Sequence, residues 1–493
     1  MLPYRSLLPL DRNSSLSLHI QVCNGFIVLI STGTLQASDA LPSSRVLAGL
    51  IGVHRNTVKQ AYEELISQGW VDSVPRKGVF VLSTLPSVKR SRLPQVKENA
   101  SARPSFDWTN RFADAIPSKN LQTPALTIDD GFPDVRLTPI DELMREYRSL
   151  SRKSYGRNFL KYGSSKGSEH LRSSVARYLY HTRGITVPSE NILITKGSQM
   201  GIYLASQLLM GAGESIGVGG SNYLLADNTF LHHGAKLVRI PVDTHGMDID
   251  YLEKVLKRRK LKAVYVIPHH HCPTTVTMSM ERRLKLLKLA KEHRFAIIED
   301  DYDFDFHYEN KPYLPLASVD HHRNVIYIGS VTKTVAPALR IGFMIDSAEF
   351  INAAAALREL IDKQGDTVLE EAFAVMFDNG EMERYFRKSV KIYKQRRDNF
   401  CKLLASDLSD VIQFNVPEGG LAVWTLFDKR IDLVKLSARA SNAGLLMDDG
   451  NFYRNESFSA NGIRMGFASL REQEGAAALA ILKKVIERLL APE

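Results

Sequence analysis

With 493 residues, of which 44% are apolar, the chain is long enough to bury a large core and too long for a single ordinary domain. Its formal charge of +10 points to nucleic acid or anionic ligands as partners. The three cysteines, Cys23, Cys272 and Cys401, lie far apart and are odd in number, which suits a reducing cytosol better than a disulfide framework.

The first apolar run of the chain, "GFIVLI" at 25–30, is far shorter than the roughly 20 residues that a membrane helix needs. The amino terminus before it lacks the long apolar core of a secretion signal. We therefore expect a soluble, cytoplasmic protein with no membrane partner.

Residues 41–67 predict two short helices joined by a turn. Ser43 or Ser44 can cap the first helix, and Gly52 supplies the turn. The second helix has one apolar face, formed by Val58, Ala61, Tyr62 and Leu65. The pattern predicts a helix-turn-helix.

A wing and a basic excess accompany these helices. The stretch "WVDSVPRKGVFVL" at 70–82 predicts two short strands around a basic turn. Residues 1–92 contain ten Lys or Arg and five Asp or Glu, so half of the excess charge lies here. This combination favours DNA binding through the second helix in a major groove, and the alternative is a helical hairpin that packs on another protein.

Residues 41–70, "LPSSRVLAGLIGVHRNTVKQAYEELISQGW", resemble the winged helix-turn-helix of GntR-type transcription regulators. The resemblance implies double-stranded DNA as the partner. One departure is His54, which stands where the family usually has a serine, a better helix cap. The expected DNA-binding residues, able to reach base edges or phosphates, are Arg45, Arg55, Asn56, Thr57, Lys59, Arg76 and Lys77.

Residues 83–124 predict a linker between two units, because "STLPSVKRSRLPQVKENASARPS" is rich in Pro, Ser and basic residues and has no periodicity. Beyond it, strand-like runs such as "AVYVI" and "NVIYIGS" alternate with helical patterns such as "ERRLKLLKLAKEH". The predicted units are therefore 1–82 and 125–493. The second is an α/β domain with a mainly parallel sheet, and its smaller subdomain lies mostly between about 370 and 493.

One lysine, Lys333, follows a predicted strand in "IGSVTKTVAPALRIG" at 328–342. Upstream, "AIIEDDYDFDF" ends a strand on Asp300 and Tyr302, at the edge of the sheet where ligands of α/β folds gather. Pyridoxal 5'-phosphate requires an amine, a carboxylate for its ring nitrogen, a hydroxyl for its phenolic oxygen and cations for its phosphate. Those two residues, with Lys333 and Arg340, can provide these groups.

A phosphate site is also expected at "TKGSQ", 195–199, where a strand turns into a helix whose amino end offers free N–H groups. Two alternatives remain for the acidic stretch 299–303. With "HHHC" at 269–272 it could ligate a metal, although neighbouring residues of a strand point to opposite faces and no usual zinc spacing is present, so we expect no metal. It could also be a solvated loop, with Lys333 an ordinary surface lysine.

From about residue 125 to the end, the chain resembles the fold type I aminotransferases, and with its first unit it resembles the MocR/GabR family of regulators. The stretches that carry the resemblance include "YGSSKGSEHLR", "TKGSQ", "HHHCPTT", "IIEDDYDFDFHY", "VIYIGSVTKTVAPALRIG" and "GIRMGFA". The resemblance implies a fold type I aminotransferase-like domain, pyridoxal 5'-phosphate as cofactor, and a head-to-tail homodimer.

The resemblance also implies roles for single residues. Lys333 would be the catalytic lysine that forms the Schiff base, Asp300 the partner of the ring nitrogen, and Tyr302 the partner of the phenolic oxygen. Arg464, in "GIRMGFA", would bind the carboxylate of an amino-acid-like ligand. The remaining cofactor-binding residues are Arg340, Ser198, Gln199 and Ser330 at the phosphate, Tyr162 from the other subunit, and Tyr223 on the ring.

Some positions depart from the family's pattern. The stretch "GGSNY" at 219–223 replaces an acidic-Pro-Gly-Tyr loop, and Leu225 stands where some relatives have a second arginine. Thr275 replaces a glycine and cannot adopt positive φ as cheaply, while Cys272 stands in place of an asparagine. Because the cofactor-binding groups persist and the substrate-facing ones have drifted, cofactor binding is favoured over turnover.

The favoured hypothesis is a DNA-binding transcription regulator that senses an amine, an amino acid or pyridoxal phosphate itself through an aldimine at Lys333. The alternative is a catalytically active aminotransferase with a DNA-binding appendage, in which the same lysine carries the proton. A third is a domain that has lost its cofactor and serves only for dimerisation.

Overall fold

The computed structural model describes residues 2–12, 14, 16–75, 77–83, 106, 126–152, 156–309, 313–319, 323–331 and 333–491. The chain folds as two compact units, Met1–Arg111 and Phe112–Glu493. The predicted linker lies outside the described residues except for Ser83 and Phe106. Within the described ranges, no helix has the length and apolar character needed to cross a membrane.

The described part of the first unit consists of helices and one antiparallel hairpin. Its elements are α1 (Tyr4–Leu7), α2 (Leu18–Ser31), α3 (Ser44–Ile51), α4 (Arg55–Ser67), β1 (Val71–Val74) and β2 (Gly78–Val81). The two strands pair antiparallel and form the wing. Phe26 of α2, Leu47 of α3, Val58 and Leu65 of α4 and Val71 of β1 share one buried core.

The helix-turn-helix begins and ends at the residues that the sequence suggests. The Ser43 hydroxyl accepts the backbone N–H of Val46 at 3.4 Å and caps α3. Gly52, with φ of 69°, ends α3 in the left-handed region that glycine adopts without strain. Nδ1 of His54 accepts the N–H of Asn56 at 3.2 Å, so the imidazole caps α4 in place of a serine.

The second unit contains helices on both sides of a large sheet. Its strands are β3 (Leu126–Ile128), β4 (Ile192–Thr195), β5 (Ser215–Gly219), β6 (Lys236–Ile240), β7 (Val242–Asp243), β8 (Gly246–Met247), β9 (Ala263–Val266), β10 (Ala296–Asp301), β11 (Val325–Ser330), β12 (Gly342–Ile345), β13 (Ile412–Phe414), β14 (Ala422–Phe427), β15 (Leu445–Met447) and β16 (Gly462–Gly466). Its helices are α5 (Ile140–Arg152), α6 (Glu169–Arg183), α7 (Ser198–Leu209), α8 (Leu224–His232), α9 (Ile249–Leu256), α10 (Met280–His293), α11 (Ala348–Ile361), α12 (Thr367–Asp378), α13 (Glu381–Asp407), α14 (Leu433–Asn442) and α15 (Glu472–Leu490).

The large sheet has the strand order β4-β12-β11-β10-β9-β5-β6. Neighbouring strands are parallel except β12, which is antiparallel to both β11 and β4. The carboxyl ends of the parallel strands therefore lie at one edge, and the reversed β12 begins at that same edge. The mainly parallel strand order of the large sheet confirms the predicted fold class.

A smaller antiparallel sheet, in the order β13-β14-β16, belongs to the carboxyl-terminal part of the second unit. The first strand of the unit, β3, pairs in parallel with β15. Ile128 of β3 shares a buried core with Tyr393, Leu436, Ile463 and Leu482 from later elements. The loop that follows β3 is thereby fixed beside β16.

Candidate cofactor site and DNA-binding surface

The carboxyl-terminal edge of the large sheet collects most of the predicted cofactor-binding residues. Each of these residues lies at the carboxyl end of a parallel strand, in the segment that follows the strand, or just before the reversed β12. This is why residues distant in sequence meet at this edge. In chain order they are Ser198, Gln199, Tyr223, Asp300, Tyr302, Ser330, Lys333 and Arg340.

Asp300 is a buried carboxylate with one free oxygen. Its Oδ2 accepts the hydroxyl of Tyr265 at 2.7 Å, whereas the buried Oδ1 has no hydrogen-bond partner among the described residues. Burial raises the pKa of Asp300 to about 7, and the hydroxyl of Tyr265 and the charge of Lys333 oppose that rise. Such a carboxylate is suited to pair with a cationic N–H in the pocket.

Lys333 is half-buried and lies between two aromatic rings. Its Nζ is 5.3 Å from the centre of the Tyr302 ring and 4.9 Å from that of Phe132. Its backbone N–H donates to the hydroxyl of Ser330 at 3.4 Å, which fixes the turn after β11. The amine therefore faces the pocket that also contains Tyr302.

The start of α7 offers backbone donors to an anion. Its N-cap residue is Gly197, which has φ of 74° and no side chain to accept the first N–H groups. A Cβ at this glycine would lie 3.1 Å from Cζ of Arg340, so the guanidinium closes over the same turn. Nη2 of Arg340 donates to the backbone oxygen of Lys196 at 2.8 Å.

The side chain of Gln199 is directed toward α8. Its Nε2 donates to Oγ1 of Thr229 at 2.8 Å, and its buried Oε1 has no partner in the described part of the chain. What Gln199 offers an anion at the start of α7 is therefore its backbone N–H, next to that of Ser198.

Tyr223 packs against the buried cluster that contains Cys272 and Tyr302. Burial raises the pKa of Tyr223, and the negative charge of Asp300 raises it further. Burial also raises the pKa of the Cys272 thiol to about 12. The thiol stays protonated at neutral pH and is only a weak hydrogen-bond donor.

The substitution at Thr275 leaves the backbone in the conformation that glycine would favour. Thr275 is buried and has φ of 58°, and its N–H donates to the backbone oxygen of His271 at 2.6 Å. A β-branched residue in this region is strained.

Arg464, in β16, is brought to the same pocket. Its Nη2 donates to the hydroxyl of Tyr302 at 3.2 Å, and its side chain is buried. Tyr162 is not brought there within the single chain: it is 83% exposed, and Nζ of Lys363 lies 5.8 Å from its ring centre. A role for Tyr162 across a subunit boundary stays a prediction.

Sequence reasoning missed four residues of the site: Tyr265, Phe132, Asp130 and Tyr453. Asp130 and Phe132 lie in the loop after β3, and Asp130 contacts Arg464. The one available signal was the pair of acids in "DDGFPD", which follows a short strand.

The acidic stretch 299–303 does not converge on one point. Glu299 accepts the N–H groups of Leu316 and Ala317, Asp301 accepts the hydroxyl of Tyr327 at 2.6 Å, and Asp303 lies 2.9 Å from Nδ1 of His270. Over the residues that the structure covers, no group of three His, Cys, Asp or Glu is arranged to hold a metal ion.

The first unit presents a basic surface at the start of α4. Arg55, Asn56 and Lys59 are exposed and share one face of the helix, while Thr57 is half-buried. Arg45 and Lys77 are also exposed, and among the described residues no ion pair engages these side chains. Arg76 lies outside the described residues.

Residues 133–482 match the family model of aminotransferases of class I and II, and residues 27–81 match that of the bacterial regulatory proteins of the gntR family. The probable rhizopine catabolism regulatory protein MocR of Rhizobium meliloti is 26% identical over 442 residues, covering 89% of this chain and 87% of MocR. The HTH-type transcriptional regulator TauR of Rhodobacter capsulatus is 28% identical over 431 residues, covering 86% of this chain and 87% of TauR.

Among solved structures, the kynurenine aminotransferase of Pyrococcus horikoshii, crystallised in complex with PMP, is 27% identical. It superposes with a TM-score of 0.70 and covers 75% of this chain and 93% of its own. The resemblance to MocR-type regulators predicted from the sequence is confirmed. The chain belongs to the aminotransferase class I and II family and carries a helix-turn-helix domain of the gntR family of bacterial regulators.

Proposed function

We propose that the protein is a transcription regulator that binds double-stranded DNA through its first unit and holds pyridoxal 5'-phosphate in its second, where an amine ligand is sensed. The observation that carries the proposal is the free, buried Oδ1 of Asp300 in the pocket that Lys333 faces. A buried acceptor without a partner is costly unless a ligand supplies the donor.

The residues present fit this cofactor. Asp300 would hold a proton on the ring nitrogen, and the N–H groups at the start of α7 together with Arg340 would bind the phosphate. When bound, pyridoxal phosphate supplies an aldehyde that combines reversibly with amines and a ring that accepts electrons from bonds to the carbon that bears the amine nitrogen. Lys333 would supply the protein's own amine, and Tyr302 a hydroxyl beside it.

The DNA-binding part of the proposal rests on the exposed face of α4. The side chains of Arg55 and Asn56 can reach base edges from a major groove, and Lys59 can reach a phosphate. The relatives named MocR and TauR are described as regulatory proteins. A homodimer, head-to-tail in this proposal, would present two such helices to repeated half-sites.

The decisive experiment is the visible absorbance of the purified protein, before and after reduction with borohydride, with mass spectrometry of the peptide that contains Lys333. We expect a visible band, its loss on reduction, and a pyridoxyl mass on that lysine. Lys333→Ala should abolish the trapped mass. Lys394→Ala is the matched control, because Nζ of Lys394 pairs with Asp398 at 3.1 Å on the exposed face of α13 and its loss should leave the band intact.

The same preparations should be tested for DNA binding by fluorescence anisotropy against operator fragments selected from genomic DNA. A protein with neither a reducible band after added pyridoxal phosphate nor sequence-specific DNA binding would contradict the proposal. Absence of the reducible band alone would contradict the role proposed for the second unit, and absence of sequence-specific DNA binding alone would contradict the role proposed for the first.

A second candidate is an active aminotransferase with a DNA-binding appendage. The observation that favours it is that Nζ of Lys333 and Nη2 of Arg464 both lie beside Tyr302, so an amine and a cation suited to a carboxylate share one pocket. Steady-state amino transfer between ordinary amino and keto acids, without sequence-specific DNA binding, would select this candidate.

A further inference from the structure

The guanidinium of Arg464 is paired within the chain. Its side chain is 1% exposed. Nε donates to the backbone oxygen of Asp130 at 3.1 Å, Nη2 donates to the hydroxyl of Tyr302 at 3.2 Å, and Nη1 donates to the backbone oxygen of Pro273 at 3.5 Å. Each guanidinium nitrogen therefore has a partner from the protein itself.

The carboxylate of Asp130 lies against the same guanidinium. Its Oδ1 is 3.4 Å from Nε of Arg464, and the same oxygen accepts the hydroxyl of Tyr453. Burial is the main cause of the raised pKa of both Tyr302 and Cys272, and the charge of Asp130 raises both further. At 23% exposure, the Asp130 side chain still borders open space.

The loop that carries Asp130 is held in place. Oδ1 of Asp129 accepts the N–H groups of Gly131 at 2.8 Å and Phe132 at 2.9 Å, which closes a tight turn around Asp130. The Asp129 turn therefore holds the backbone at Asp130, and the hydroxyl of Tyr453 holds its carboxylate beside Arg464.

We propose, building on the function proposed above, that Asp130 makes the site selective for primary amines that lack a carboxylate on the carbon bearing the nitrogen. A ligand carboxylate directed at Arg464 would place a second negative charge on a guanidinium that Asp130 has already neutralised. Like charges at one buried site oppose each other strongly. An amine without a carboxylate leaves the Arg464–Asp130 pair intact and meets the aromatic face of Phe132 instead.

The test uses the full-length protein loaded with its cofactor and needs no substitution in its first arm. Phenethylamine is compared with phenylalanine, and cadaverine with lysine, by titration of the visible spectrum. In each pair we expect the amine to change the spectrum at a concentration at least tenfold lower than the amino acid. An amino acid that acts at an equal or lower concentration would overturn the inference while leaving the cofactor, and hence the proposed function, in place.

The second arm uses Asp130→Asn, which keeps an oxygen for Tyr453 and removes the charge. The ratio between amine and amino acid should move by at least tenfold in favour of the amino acid. Asp449→Asn is the matched control, because Asp449 caps its own turn through Asn451 and has no contact with Arg464 in the described structure. An unchanged ratio in Asp130→Asn would contradict a role for Asp130.

A third readout does not depend on the cofactor. Benzoate, a carboxylate without an amine, should raise the melting temperature of the cofactor-free Asp130→Asn protein and leave that of the wild type and of Asp449→Asn unchanged. Equal stabilisation of all three proteins would refute the inference. If no cofactor band forms at all, the proposed function fails, and this arm still decides whether Asp130 excludes carboxylates from Arg464.

Discussion

Replacing Asp300 by Asn should change how the stability of the cofactor-free protein depends on pH. Burial raises the pKa of Asp300 from an ordinary 3.8 to about 7, with the hydroxyl of Tyr265 and the charge of Lys333 working in the opposite direction. The folded protein therefore binds this proton more tightly than the unfolded chain does. Stability is then lost as the pH rises from about 4 through 7, the reverse of a salt-bridged carboxylate.

The size of the effect follows from the shift in pKa. Each unit corresponds to about 1.4 kcal/mol, so the shifted pKa of Asp300 destabilises the folded protein by about 4 kcal/mol above pH 8 and by about 2 kcal/mol at pH 5. Asparagine has no charge to desolvate and keeps an oxygen for the hydroxyl of Tyr265. The free energy of unfolding of Asp300→Asn, relative to the wild type, should therefore rise by about 2–3 kcal/mol between pH 5 and pH 8.5.

Urea denaturation followed by far-ultraviolet circular dichroism at pH 5, 6.5 and 8.5 measures this difference. Glu299 titrates in both proteins, so its contribution cancels, whereas the charge of Asp301 adds to the raised pKa of Asp300 and is part of the measured difference. Parallel pH profiles for the two proteins would refute the reasoning, since they would mean that Asp300 ionises without cost. Added pyridoxal phosphate should reverse the order at pH 8.5, because a protonated ring nitrogen stabilises only the carboxylate.

Three further outcomes are expected. Gly197→Ala should lower stability by about 1 kcal/mol or more, because alanine is strained at φ of 74°, and should weaken binding of pyridoxal phosphate, because the added methyl group crowds Arg340. Thermal unfolding with and without cofactor measures both effects, and unchanged values would contradict the role of this turn. Thr275→Gly should stabilise the cofactor-free protein by about 1 kcal/mol, because φ of 58° strains a β-branched residue; a lower melting temperature would show that the threonine side chain contributes more than the strain costs. In anisotropy titrations across salt concentrations, Asn56→Ala should lose about 1–3 kcal/mol of binding free energy on the preferred sequence alone. Lys59→Ala should weaken binding to all DNA sequences equally and reduce the slope of log affinity against log salt concentration by about 1. Identical behaviour of the two variants would argue against recognition of a base by Asn56.

Much of the molecule could be predicted because its signals are local. In α4, Val58, Ala61 and Leu65 repeat with helical spacing, and they form the buried face that the pattern indicates. The edge of the large sheet was predictable for a similar reason. Asp300 lies at the end of β10 and Lys333 lies just after β11, and because these strands are parallel, both residues lie at the same edge of the sheet.

The remaining features depend on pairings that no local pattern encodes. Tyr265 reaches Asp300 because β9 and β10 are neighbours in a register that sets Tyr265 opposite Ile298, two residues before Asp300 and on the same face. Asp130 reaches Arg464 because β3 pairs with β15 and places the following loop beside β16. Helix α2 was missed because its apolar residues occur on most sides of the helix, so the periodic contrast is weak.

The reversed direction of β12 limits the distance between two charged groups of the site, the amine of Lys333 and the guanidinium of Arg340. Lys333 and Arg340 both belong to the short connection between β11 and β12, adjacent antiparallel strands whose ends meet at the ligand-binding edge. Their separation is therefore a property of one local segment and is insensitive to how the distant strands of the sheet assemble. A molecule that contacts both the amine and the guanidinium links the two ends of this connection and restrains its local opening. Its binding should therefore slow hydrogen exchange of the backbone amides within 333–341.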